Sequence, residues 1–215
     1  MSRARDRQAM RRAAELPVPV VLASSSPERR ELLGRLLADF EVVEPRVDET
    51  ACEAQGVEAC ARMLAQAKAE DVARRRPGAL VIAADTLVEC RGKVLGKPRN
   101  RADAVRILTQ LTRCPHRVVS GLCVIAPDGR RRCVACVTRV RMKRLSRAEI
   151  ERYVDQEDVM GRAGAYGLKE LDPNVVSLQG SPSSVMGLPL EELSSILHAL
   201  YPSDGSSCRS KGSPG

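Results

Sequence analysis

VPVVLASSSPERRELLGRLL, residues Val18–Leu37, changes character at its centre. A short run of Val18, Val20, Val21 and Leu22 gives way to Ser24-Ser25-Ser26-Pro27, and a helical pattern follows. Serine before proline is an N-cap with proline at the first helical position, so the stretch reads strand, tight loop, helix. A helix N-terminus facing a strand end presents unsatisfied N–H groups and a partial positive charge, which suits an anion. At 100° per residue, Arg29 shares a face with Leu32, Leu33 and Leu36, flanked by Glu28 and Arg30. An inward arginine in the first turn, beside serine hydroxyls, can grip phosphate oxygens in a fixed fork. The plainer alternative is a βα unit whose serines only cap.

A chain of 215 residues suits one large domain or two closely packed lobes. Its aromatic residues are Phe40, Tyr153, Tyr166 and Tyr201, too few to stack a single-stranded nucleic acid. The formal charge of +8 is partly an end effect, because Met1–Arg12 holds five arginines against Asp6. Residues 1–16 therefore read as a flexible basic arm. The remaining excess favours a polyanion, either nucleic acid or a multiply charged small molecule, and the preferred, plainer reading is a soluble, slightly basic enzyme in which nucleic acid is not the partner. Eight cysteines would permit disulfides, but no apolar signal core opens the chain. Cys52, Cys60, Cys90, Cys114 and Cys123 sit in apolar patterns as small buried hydrophobes. Cys133 and Cys136 have metal-ligand spacing without a second pair, in an extended run, which argues against zinc. A reducing, cytoplasmic setting is expected, with no membrane partner, since no stretch approaches transmembrane length.

Further along, Phe40–Glu44 reads as a strand and Pro45–Thr50 as a loop carrying Asp48 and Glu49. Gly56–Arg75 is a long helix, with Val57, Ala61, Leu64, Lys68 and Val72 in one narrow arc. Lys68 thus interrupts the apolar stripe, either snorkelling outward or meeting an anion in a cleft. Ala79–Ala84 is a buried central strand that stops at Asp85-Thr86. A carboxylate there needs a partner or a metal, and strand ends are where α/β folds bind ligands. A hairpin turning at Arg91-Gly92 follows, with Lys97 on the next turn. Asn100–Leu111 is a capped amphipathic helix, and His116–Ala126 and Arg130–Lys143 form an antiparallel ribbon. Ser146–Asp155 carries a capping box. Gly161–Leu168 reads as a loop moulded to a ligand or neighbour, Val175–Gln179 as a strand, Gly180–Gly187 as a loop and Leu188–Tyr201 as the last helix. Pro202–Gly215 has the composition of a disordered tail.

Four stretches, LASSSPERRELL, QAKAEDVA, AADTLVECRGKVLGKP and AGAYGLKE with GSPSSVMGLPLEEL, taken together resemble the Maf family of nucleoside triphosphate pyrophosphatases. The likeness runs from about Val20 to Leu200, and residues 17–201 are expected to form the Maf-like unit. It implies an α/β fold with a central mixed, twisted sheet, flanking helices and two lobes around a cleft, similar to inosine triphosphatase. It implies hydrolysis of a nucleoside triphosphate to the monophosphate and pyrophosphate with Mg²⁺ or Mn²⁺, in the service of removing non-standard or excess nucleotides, and a homodimer. By matching position, Ser24 and Ser26 would be phosphate-loop hydroxyls and Arg29 the phosphate-gripping arginine. Lys68 and Lys97 would face the triphosphate. Glu49 and Asp85 would be cleft carboxylates holding metal, with Asp85 resembling the general base.

The resemblance also marks three specificity positions. In the branch acting on thymidine and uridine triphosphates, arginine usually stands at Glu28 and glutamine at Lys169, while Thr86 agrees. In the branch acting on methylated guanine nucleotides, tryptophan is typical at Glu28 and the Thr86 position differs. The chain matches neither pattern: either Glu28 and Lys169 pair across the pocket and together read a different base edge, or both point to solvent and base selectivity is loose. Competing readings are a non-catalytic nucleotide or nucleic-acid binder, and a phosphatase releasing orthophosphate.

Overall fold

The opening stretch folds as strand β1 (Val20–Ala23), a short turn and helix α1 (Pro27–Gly34), with the Ser26 hydroxyl accepting from the Arg29 backbone N–H at 3.3 Å. These coordinates come from a computed structural model, which describes residues 16–48, 56–167 and 174–202. Nearly all of the basic arm, Glu49, Cys52, Lys169 and the tail beyond Pro202 lie outside the described residues.

In chain order, α1 is followed by β2 (Glu41–Val43), α2 (Val57–Arg75), β3 (Leu80–Cys90), β4 (Lys93–Leu95) and α3 (Arg101–Leu111). Then come β5 (His116–Ile125), β6 (Arg131–Met142), α4 (Arg147–Gln156), a 3₁₀ turn (Ala163–Ala165), β7 (Val175–Gln179), α5 (Pro182–Val185) and α6 (Leu190–Leu200). The strands form one mixed sheet in the order β2-β1-β3-β5-β6-β7, with β4 beside the far end of β3. β1 runs parallel to β2 and β3, and the remaining pairings are antiparallel.

Side-chain alternation along β3 separates the layers. Val81 and Ala83 pack against α2 through Ala65, Ala69 and Val72. Leu80, Ile82 and Ala84 face the opposite way, into a core shared with Leu32 and Leu33 of α1 and Leu193 and Leu197 of α6. Further along the same face, Val88 and Cys90 join Val118, Ile107 and Leu108 of α3 and Ile150 of α4 in a second core. α2 lies so close to the sheet that a Cβ on Gly121 would stand 1.9 Å from the Ala61 carbonyl oxygen.

Three sequence expectations change here. β3 does not end at Asp85. It continues to Cys90, with Asp85 opposite Gly121 and Glu89 opposite Arg117 on β5. What ends is β1, whose last partner on β3 is Ala83, while β4 joins only at Val88. The apolar run therefore stops where the neighbouring strand stops, and residues 84–87 form an open stretch of sheet edge. Second, Gly180–Gly187 contains α5. Ser181 caps it and Pro182 starts it, the same device as Ser26-Pro27. Third, Cys123 is not a free hydrophobe. It faces Cys133 directly across β5 and β6, and the two are joined as a disulfide. Cross-strand register brought them together, which spacing along the chain does not encode. The caps at Asn100 and Ser146 and the turn at Arg91-Gly92, both residues at positive φ, form as read.

Candidate functional site

The gap in the sheet edge opens into a cavity of about 890 Å³. Because β3 alternates, consecutive residues at the gap enter from opposite faces. Asp85 points to the α2 side, where the Lys68 ammonium lies 2.5 Å from its Oδ1. Both side chains are almost fully buried, at 7% and 8% exposed. Oδ2 of Asp85 takes no protein hydrogen bond among the described residues. Lys68 is the polar residue within α2's apolar stripe, and its ammonium meets a carboxylate instead of snorkelling to bulk water.

Thr86 points to the α1 side and supports Arg29. Arg29 Nη2 donates to Thr86 Oγ1 at 3.2 Å and Nε donates to the Gly187 carbonyl at 2.9 Å. Ser120 Oγ donates to the Ser184 carbonyl at 2.7 Å, which leaves it to accept the Thr86 proton at 2.9 Å. Arginine, threonine, serine and a carbonyl thus form one directed relay that fixes the guanidinium. Gly187, at φ +108°, brings its backbone beside Arg29 in a conformation side chains rarely adopt.

Ser26, Glu28, Arg29, Lys68, Asp85, Thr86 and Lys97 all line the cavity. Lys97 is exposed and has no ion-pair partner among the described residues. Ser24 stands behind the wall, buried, accepting from the Ser26 backbone N–H at 3.1 Å and from Arg29 Nη1 at 3.5 Å. Glu49 and Lys169 fall outside the described residues. Glu28 is paired by Arg162, whose Nε lies 3.2 Å from Oε1. Sequence reasoning missed Arg162, although its glycine-rich surroundings read as moulded to a ligand or a neighbour.

It also missed Tyr166, which closes the wall between the cavity and the second core. Tyr166 Oη lies 2.7 Å from Nε2 of buried His116, with the rings edge to face at 5.5 Å. Burial pushes the His116 imidazole down to about 4. Unfolding returns it to its ordinary value near 6.5, so between those values the unfolded chain binds the extra proton. Stability should therefore fall as pH drops from about 6.5 to about 4, by about 3 kcal/mol from this residue. Urea midpoints measured across that range would show it, and His116→Gln should flatten the slope; an unaltered slope would rule His116 out.

Chemically, the arrangement offers a fixed arginine, two lysines, a helix N-terminus and a carboxylate around one opening. A family model described as Maf-like protein matches residues 19–200. A Paramagnetospirillum magneticum protein named dTTP/UTP pyrophosphatase is 43% identical over 180 residues, covering 83% of this chain and 95% of that one. Proteins of the same name from Desulforamulus reducens and Lacticaseibacillus casei are 42% and 39% identical, each over 181 residues. These alignments cover 83% and 84% of this chain and 95% and 98% of the two relatives.

Proposed function

The chain belongs to the Maf family, and on that premise we propose that it hydrolyses a nucleoside triphosphate to the monophosphate and pyrophosphate, with dTTP and UTP as substrates. It is a hydrolase acting on an acid anhydride. The observation that carries the reading is the convergence of Arg29, Lys68, Lys97 and Asp85, from four separate elements or turns, on one cavity.

A triphosphate carries about four negative charges, so its cleavage needs them neutralised and the chain held in line. Arg29, fixed by Thr86 and Gly187, forks onto phosphate oxygens, while Lys97 adds charge at the rim. Water attacks phosphorus, the bond to the bridging oxygen breaks, and pyrophosphate leaves with its electrons. Asp85 accepts the water's proton, and Lys68 keeps that carboxylate oriented. The donor chemistry also fits a divalent cation. Asp85 has an oxygen to spare, and Mg²⁺ is commonly held by one or two carboxylates together with substrate phosphates. Asp85 would hold it, with Glu49 as the second carboxylate that the resemblance implies. When bound, the cation would neutralise phosphate charge and polarise the scissile linkage. No helix among the described residues is long and apolar enough to cross a membrane. A homodimer completes the proposal on the strength of the family resemblance.

The test is pyrophosphate release over a panel of standard and modified nucleoside triphosphates, with Mg²⁺, with Mn²⁺ and with chelator. Pyrophosphate from dTTP and UTP, abolished by chelator, is expected. Orthophosphate as the first product, or binding without turnover, would replace this reading with the phosphatase or the non-catalytic binder.

A further inference from the structure

Arg162 has no part in the mechanism above, yet it lines the cavity. Its side chain is only 15% exposed, and Nη1 is buried without a hydrogen-bond partner. The guanidinium is held by Glu28 at 3.2 Å across the cleft, between α1 on one side and the segment leading into the 3₁₀ turn on the other. Glu28 Oε2 also accepts from the Ser26 hydroxyl at 3.0 Å. Partial burial works against the Glu28 charge, but hydrogen bonds from its own backbone N–H, from Ser26 and from Arg162 hold its pKa below the ordinary carboxylate range.

A helix N–H, a hydroxyl and a guanidinium therefore converge on an internal carboxylate inside the cavity proposed to take a triphosphate. That is the donor set a phosphate oxygen requires. The carboxylate brings a single charge, whereas the substrate brings several, and it is 41% exposed, so it can swing to water when displaced. We propose that Arg162 is a further substrate-binding residue, which Glu28 holds until the phosphate chain takes Glu28's place. The buried Nη1 gains a partner in the exchange, and the loop carrying Arg162 becomes tied to substrate instead of to α1. Glu28 acts as an internal competitor: removing its charge tightens phosphate binding, provided that Arg162 is present. The inference rests on the hydrolase reading for the nature of the anion.

The experiment measures binding of inorganic tripolyphosphate with Mg²⁺ by calorimetry on the full chain. The proteins are wild type, Glu28→Gln, Arg162→Gln, Arg162→Lys and the double variant Glu28→Gln/Arg162→Gln, each checked for its thermal midpoint. Glu28→Gln should bind about tenfold more tightly and Arg162→Gln about tenfold more weakly than wild type, the scale of a charge-assisted contact. Arg162→Lys should recover part of the loss, and the double variant should behave as Arg162→Gln. Equal affinity of Arg162→Gln and wild type, or a gain in Glu28→Gln that survives loss of Arg162, overturns the proposal. If Arg162→Gln does not fold, the comparison of Glu28→Gln in the Arg162→Lys background decides, since lysine should shrink the gain. Pyrophosphate release by wild type is scored separately, so a failed hydrolase reading is distinguishable from a failed role for Arg162.

Discussion

Asp85→Asn should lower pyrophosphate release at least about a hundredfold, the scale of a lost general base or metal ligand. The substitution keeps the shape of the side chain but removes the charge that faces Lys68 at 2.5 Å. A second effect follows from burial. Both partners are nearly excluded from water, and a hydrogen bond between charged groups contributes about 1.5–3 kcal/mol. The variant should therefore also unfold at lower urea concentration by an amount in that range. Neutralising both residues, as Lys68→Gln/Asp85→Asn, should restore part of the stability and none of the turnover. That separation of the two readouts is the check: near-normal turnover in Asp85→Asn would remove Asp85 from the chemistry, and an additive double variant would show that the pair is not coupled.

Gly121→Ala is expected to be the most damaging glycine-to-alanine change among the described residues. The added Cβ would sit 1.9 Å from the Ala61 carbonyl oxygen and 2.3 Å from its carbon, both backbone atoms in the second turn of α2. No side chain can rotate to relieve this, so the helix must move off the sheet. Overpacking of cores costs about 1–3 kcal/mol and occasionally more; a backbone collision belongs at or beyond the upper end. The same displacement carries Lys68 away from Asp85, because Lys68 lies two turns along the helix from Ala61. Gly34→Ala is the natural control. It adds a methyl with nothing within 4 Å, at the end of α1, and should be neutral or gain about 0.5–1 kcal/mol. Chemical denaturation of the two variants decides it, and a Gly121→Ala protein as stable as wild type would show that α2 is not held at this distance.

Most strands and helices were legible from their periods, the helix caps from their residue types, and the mixed sheet only from the family resemblance. Arg29 and Lys68 stood out as polar residues on apolar helical faces, and Asp85 as the acid closing a buried run. The structure brings all three to one cavity. What period could not express is pairing across the chain. Asp85 sits within β3 and not at its end, because a strand's burial is set by its neighbours: the apolar run records where β1 stops. Cys123 and Cys133 meet through β-ladder register. Glu28 is held by Arg162, a residue in a glycine-rich segment with no repeat to read. α5 carried a Ser-Pro start identical in kind to that of α1, but four residues are too short to show an apolar face.

The placing of Asp85 and Thr86 on successive positions of one strand has a consequence for assembly. Each belongs to a different side of the sheet, so the acid is oriented only after α2 has docked, and the arginine relay only after α1 and α5 have docked on the reverse. An intermediate with a single layer in place would hold half of the machinery and turn over nothing. Recovery of activity during refolding should thus lag behind recovery of helical signal, reporting the arrival of whichever layer comes last.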